Sequence, residues 1–271
     1  MAASSTIRID AGRGGRVAKH CDHPLCPSTV PIHCQSSMLE TNVTETRVYP
    51  DRGSMDAGLA EQVASELTNA IKKRGRATLA VPGGETPRAF YQQLSEMDIE
   101  WACVTVILTD EHYALKVPDK SNAAMIRELL VKGAAAEARF LSYLDIEVAD
   151  ESERLTAILA ELEEVLPIDV CILGVGVDSH VASLYATADK IEEALGLWAP
   201  NIMLMDVPQL PEQRLTLTAP VLERARKAHI LLYGDAKKQV LREAQKLGPV
   251  EEAPVRVILN RARATTVHYA D

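Results

Sequence analysis

Apolar residues recur along this chain in two rhythms, and each predicts a different element. Over 55–73, Leu59, Val63, Leu67 and Ile71 fall four residues apart with Asp56 near the start, the spacing of an amphipathic helix. Short continuous apolar runs at 77–81, 104–108 and 170–173 have the length and character of buried strands. Further strands are expected at 214–217, 229–233 and 265–269, and further helices at 121–131, 152–165 and 236–247. Ser121 is placed to cap the first of those helices. Strands alternating with helices of this length imply a parallel sheet covered on both faces. The expected fold class is therefore α/β, a doubly wound three-layer sandwich with a mainly parallel sheet.

In such a sandwich ligands bind beyond the carboxyl ends of the strands, and three loops rich in Gly or Asp are expected to converge there. The first is Gly83-Gly84-Glu85-Thr86-Pro87, with Thr86 as cap and Pro87 at the first helical position. Its glycines allow close backbone approach, and the helix that follows offers free N–H groups to an anion, although a plain tight turn uses the same residues. Glu85 would repel phosphate there unless it points outward.

The second loop, Thr109-Asp110-Glu111-His112, leaves two readings open. Asp110 or Glu111 orients a sugar hydroxyl, or both cap the turn through backbone N–H groups. The third runs from Gly174 through Gly176, Asp178 and Ser179 to His180, ahead of a helix-like Val181-Ala182-Ser183-Leu184. A histidine side chain titrates near neutrality and can take a proton from water, with Asp178 fixing its orientation. The plainer alternative is a surface histidine. Arg214 and Lys237 are candidate phosphate partners, each no more than a solvated charge when taken alone.

Composition narrows the chemistry. Among 271 residues, 47% are apolar, yet no run approaches the roughly 18 needed to span a membrane. The net charge of -9 with scattered cations argues against a nucleic-acid partner. Five cysteines, three of them (Cys21, Cys26, Cys34) before residue 40, do not suggest a disulfide framework, and Cys103 and Cys171 read as reduced, buried thiols. Residues 1–37 lack apolar periodicity and read as a disordered leader, with 38–271 as a single domain. His20, His23 and His33 stand among those early cysteines at spacings unlike structural zinc sites, so no metal is expected. Without an apolar signal core, the expected compartment is the cytoplasm.

Taken together, VPGGETP (81–87), VILTDEH (106–112), SN (121–122), DVCILGVGVDSHVASL (169–184), RLTLT (214–218) and GDAKKQVL (234–241) resemble the glucosamine-6-phosphate isomerase/6-phosphogluconolactonase family, in order and spacing, over 38–271. The resemblance implies a sugar-phosphate isomerase-like fold, no metal or nucleotide cofactor, and hydrolysis of a phosphorylated sugar lactone. It implies that Gly83, Gly84 and Thr86 hold substrate, that Asp178 and His180 are catalytic, and that Arg214 and Lys237 bind phosphate. Asp110, Glu111 and His112 fall on the substrate-binding loop. Three departures stand out: His112 where this family usually has arginine, Ser179 where glycine is commoner, and Tyr185-Ala186 where Phe-Pro is usual. The deaminase branch shows Asn-Glu-Pro soon after the loop histidine, unlike Val181-Ala182-Ser183-Leu184-Tyr185-Ala186 here. The alternatives are that deaminase and a non-catalytic sugar-phosphate binder, and the oligomeric state is left between a monomer and a weak dimer.

Overall fold

Seven strands form one sheet in the order β1 (Thr44–Val48), β10 (Thr265–Ala270), β9 (Lys227–Tyr233), β6 (Val170–Gly174), β2 (Ala77–Val81), β3 (Val104–Leu108) and β5 (Arg139–Leu141). Every neighbouring pair runs parallel. This computed structural model describes residues 44–113 and 121–271, so the expected leader at 1–37, with its cysteines and histidines, lies outside the described residues.

All five residues of β2 are buried. Successive side chains of a strand point to opposite faces, so both faces of the sheet centre are covered, as a three-layer sandwich requires. The helix α1 (Arg52–Arg74) contributes the face predicted from its periodicity: Leu59, Val63, Leu67 and Ile71 are all buried. Its cap is Asp51, whose Oδ1 accepts from Ser54 N at 2.7 Å. Asp56 instead sits inside the helix, buried, and accepts a 2.5 Å bond from the Tyr233 hydroxyl.

Strand order carries the site. From β2 the chain winds outward through β3 to β5, then returns to lay β6 on the other side of β2 and winds out again through β9 and β10. The order reverses between β2 and β6. Loops leaving these two strands diverge, and the crevice between them is where such sheets bind ligands.

Several expectations need correction. Residues after Thr109 are not simply a loop: β4 (Asp110–His112) pairs antiparallel with β8 (Arg214–Leu217), which pairs with β7 (Ile202–Met205) in a second, three-stranded sheet. Polar composition hid β4, because its hydrogen bonds go to a strand about a hundred residues later. Thr86 is not a cap, since α2 (Arg88–Ser95) starts from Pro87 without a side-chain cap bond. Val181 to Leu184 is not helical but one tight turn closed by a bridge between its ends, and Val181 is also bridged to Val175 across the preceding turn. Cys171 is buried as expected, whereas Cys103 is only half-buried, in a short turn before β3. Short or edge elements with weak periodicity, namely β1, β5, β7, α5 (Ile191–Leu195), α6 (Ala219–Arg224) and α8 (Arg256–Leu259), were not expected at all. The helices α3 (Asn122–Leu129), capped by Ser121, α4 (Arg154–Val165) and α7 (Gly234–Ala244) fall where periodicity placed them.

Among the described residues, no helix is long and apolar enough to cross a membrane, and no three His, Cys, Asp or Glu side chains gather as metal ligands would.

Candidate active site

The three loops meet around a cavity of about 450 Å³ at the carboxyl ends of the strands. Gly83, Gly84 and Thr86 line it from the loop after β2, Asp110 and His112 from β4, His180 from the loop after β6, Arg214 from β8 and Lys237 from α7.

The glycine loop follows from backbone demands. Gly84 has φ of 87°, in the left-handed region where a side chain is strained. At Gly83 a Cβ would lie 2.0 Å from Asn122 Oδ1. Asn122 occupies that space, lines the cavity and donates from Nδ2 to Asp110 O at 2.9 Å. Glu85 also lines the cavity, but its side chain is 91% exposed and pairs with Arg88 at 3.7 Å, which places the carboxylate at the solvent rim and offsets its charge. Lys237 Nζ reaches across to donate to Thr86 Oγ1 at 3.3 Å. Burial pulls the Lys237 ammonium below the ordinary lysine range.

The two acids of β4 divide the readings offered by the sequence. Glu111 is fully buried and does not line the cavity; its carboxylate accepts from His112 N, Asn122 N, Ala123 N and Ser121 Oγ at 2.7 to 3.0 Å. Its geometry is that of a residue fixing the start of α3. Asp110, also buried, faces the cavity and takes Arg214 Nη2 at 2.6 Å. Ser183 bridges the pair, donating to Asp110 Oδ2 at 2.7 Å and accepting from Arg214 Nε at 2.9 Å. Burial alone would raise Asp110, but the charge of Arg214 and the bonds from Ser183, Arg214 and Thr109 hold it below the usual carboxylate range. Arg214 is therefore anchored by a carboxylate, with its remaining N–H groups available to the cavity.

His180 is held on three sides. Its Nδ1 lies 2.5 Å from Asp178 Oδ1. Its ring stacks on Tyr185, with centroids 4.1 Å apart and planes at 30°. Beneath it passes Gly176, where a Cβ would sit 2.2 Å from Nδ1 and 2.4 Å from Asp178 Oδ1. The loop is closed by Gly176 N donating to His180 O and Ser179 N to Gly176 O, both at 3.1 Å. A carboxylate at Nδ1 fixes the proton there and leaves Nε2 as the basic nitrogen; among the described residues Nε2 makes no hydrogen bond. Asp178 itself does not line the cavity; its carboxylate meets the far side of the His180 ring.

Three participants were not singled out from the sequence: Asn122, Ser183 and Tyr185. Asn122 and Ser183 lay inside recognised motifs, but nothing local signals that Ser183 meets a carboxylate 73 positions away. Tyr185 was visible only as a departure from the family pattern.

These observations agree with comparison to known proteins. The sequence model for glucosamine-6-phosphate isomerases/6-phosphogluconolactonase matches residues 50–268. A 6-phosphogluconolactonase of Rhizobium meliloti is 36% identical over 218 residues, covering 79% of this chain and 93% of its own. One from Pseudomonas aeruginosa is 34% identical over 226 residues, covering 82% and 93%. The crystal structure of a 6-phosphogluconolactonase from Shewanella baltica superposes with a TM-score of 0.80 at 28% identity, covering 85% of this chain and 99% of that one. With the family model spanning residues 50–268 and a relative 36% identical over 79% of its length, the chain belongs to the glucosamine-6-phosphate isomerase/6-phosphogluconolactonase family.

Proposed function

We propose that this protein hydrolyses 6-phosphoglucono-1,5-lactone to 6-phosphogluconate, with His180 as general base. The observation that carries the reading is the bond between His180 Nδ1 and Asp178 Oδ1 at 2.5 Å, which leaves Nε2 open beside a cavity that also holds a lysine, an arginine and a glycine-rich turn. Relatives at 34 to 36% identity that bear the lactonase name favour that branch over the deaminases.

In the proposed reaction Nε2 takes a proton from water as the water oxygen bonds to the lactone carbonyl carbon. Backbone N–H groups of the surrounding loops stabilise the oxyanion. When the tetrahedral intermediate collapses, the bond from that carbon to the ring oxygen breaks, and protonated His180 returns its proton to the departing oxygen. The phosphate is a remote handle for Lys237, the free N–H groups of Arg214 and the turn at Gly83 and Gly84, and its binding positions the carbonyl. Asp110 sets the direction of the Arg214 guanidinium.

The test is lactone opening above the spontaneous rate, measured beside equilibrium binding of 6-phosphogluconate, for the parent and His180→Asn. The parent is expected to turn over. The variant is expected to bind the product like the parent while its kcat falls by roughly 10²- to 10⁴-fold. Turnover near the parent rate in His180→Asn removes His180 as the base. Binding without turnover in the parent makes the chain a sugar-phosphate sensor instead.

A further inference from the structure

A second cleft, of about 550 Å³, opens at the other end of the sheet, between the end of α1 and the entries to β6, β9 and β10. Since β2 has five residues, and a strand of that length spans roughly 17 Å, the cleft and the candidate active site are separated by the length of the strands. The cleft walls carry Lys73, Arg74, Arg226, Lys227 and Arg263 against two carboxylates, Glu66 and Asp169. Five cations less two carboxylates leave a local excess of three positive charges, in a chain whose total is -9. Like charges crowded together repel unless an anion offsets them.

Both carboxylates are already committed to the fold. Asp169, 6% exposed, takes Arg74 Nη2 at 2.5 Å, Arg226 Nε at 3.2 Å and Thr78 N at 2.9 Å. Glu66 Oε2 meets His229 Nε2 at 2.8 Å. The cations opposite them differ in this respect. Among the described residues, the Lys73 ammonium makes no hydrogen bond or ion pair, and Lys227 acts on Glu66 only through space. Arg263 is fixed in place by its Nη1, which donates to Arg224 O at 2.9 Å, and its other N–H groups remain available to a ligand at the cleft.

We propose that this cleft is a second binding site, for a small metabolite carrying two or more phosphoryl groups. Its unmatched charge is spread over three chain segments, at Lys73, Lys227 and Arg263, so a ligand must present anionic groups at several points to satisfy it. A single phosphate reaches fewer of these cations and leaves most of the volume unused. An extended polyanion such as a nucleic acid is disfavoured by the overall net charge of -9. The ligand that fits is compact and multiply charged.

Inorganic pyrophosphate and inorganic phosphate, titrated separately into the full chain by calorimetry at low salt, test this. Pyrophosphate is expected to bind one per chain, at least about tenfold more tightly than phosphate, and to weaken steeply as salt is added. In the double variant Lys73→Glu/Lys227→Glu, the affinity is expected to fall at least about tenfold below that of the parent, with the rate of lactone opening unchanged. The milder Lys73→Gln/Lys227→Gln should give an intermediate loss, and guards against a fold disturbed by the charge reversal. Lys237→Gln, in the other cavity, should leave pyrophosphate binding intact. The proposal is overturned if pyrophosphate does not bind at millimolar concentration, if either lysine pair can be replaced without loss, or if Lys237→Gln abolishes binding.

Discussion

The imidazole of His180 lies against the phenol ring of Tyr185, with centroids 4.1 Å apart and planes 30° apart. Burial pushes the Tyr185 phenol above its ordinary range, so it meets the imidazole as a neutral ring. Aromatic contacts of this kind contribute about 0.5–1.5 kcal/mol beyond area burial. Tyr185→Phe keeps the ring and should leave kcat within about twofold of the parent, while Tyr185→Ala frees one face of His180 and should lower kcat about tenfold with a smaller change in KM. Steady-state kinetics on the two variants separate the roles. Equal loss in both would mean that the hydroxyl matters and the stack does not.

Ser179 has φ of 66°, in the left-handed region that penalises a residue with a Cβ by about 1–2 kcal/mol. This is the position where glycine is commoner in the family, and the backbone supplies the reason. The conformation is held from outside by Val255 N, which donates to Ser179 O at 3.0 Å. Ser179→Gly should relieve the strain, less what glycine costs by loosening the unfolded chain, for a net gain of up to about 1 kcal/mol in denaturant melts. Because the backbone path is unchanged, kcat should not move. A destabilised Ser179→Gly would mean that the serine side chain contributes more than its backbone costs.

A buried polar chain ties the edge of the sheet to α1: the Tyr49 hydroxyl meets His268 Nδ1 at 2.9 Å, His268 Nε2 meets His229 Nδ1 at 3.1 Å, and His229 Nε2 meets Glu66 at 2.8 Å. Burial, reinforced by the charges of His229 and Arg47, pulls His268 down to about 3. In the unfolded chain a histidine titrates near 6.5. Between those values the unfolded chain binds more protons, so stability rises with pH, and it is lost as pH falls from about 6.5 towards 3. Glu66 works in the same direction: burial opposes it, yet the hydrogen bond and charge of His229 hold its carboxyl below the usual range. Thermal melts should therefore lose stability below about pH 6.5, at up to about 1.4 kcal/mol per pH unit from His268. His268→Gln should flatten that limb, at the cost of some stability at neutral pH. A parent melting temperature that is flat from pH 7 to 4.5 would contradict the burial of a neutral His268.

How much of this was legible beforehand depended on the range of the interactions involved. The face of α1 and the runs of β2, β3 and β6 were readable because burial repeats with the period of the element itself. The glycines at 83, 84 and 176 marked the loops, since only a residue without Cβ tolerates those turns and close approaches. The roles of Asp110 and Glu111 were not separable from adjacent letters. They are neighbours on a strand, so one binds Arg214 in the cavity wall and the other faces the start of α3, a difference decided by pairing with a strand far along the chain. Ser183 and β4 were missed for the same reason, and the cleft at Asp169 was invisible because its cations are scattered from Lys73 to Arg263.

His112 stands on β4 directly across from Arg214 in the antiparallel register, lines the cavity, and replaces the arginine usual in this family. The two positions therefore present side chains near the same stretch of the proposed substrate site. Arginine carries a permanent charge and can grip phosphate through two parallel N–H bonds, whereas the two nitrogens of an imidazole point apart and cannot. Glu111, next along the strand, is saturated by four donors and already anchored to α3, so it need not move to accept a longer neighbour. His112→Arg should thus lower KM for the phosphorylated lactone by about three- to tenfold, with kcat changed little, because the proposed water activation rests on His180. Steady-state kinetics with the spontaneous opening subtracted at each substrate concentration give both constants. A KM that rises or stays put would mean that His112 has taken a role of its own in this site, with the cation supplied by Arg214 and Lys237 alone.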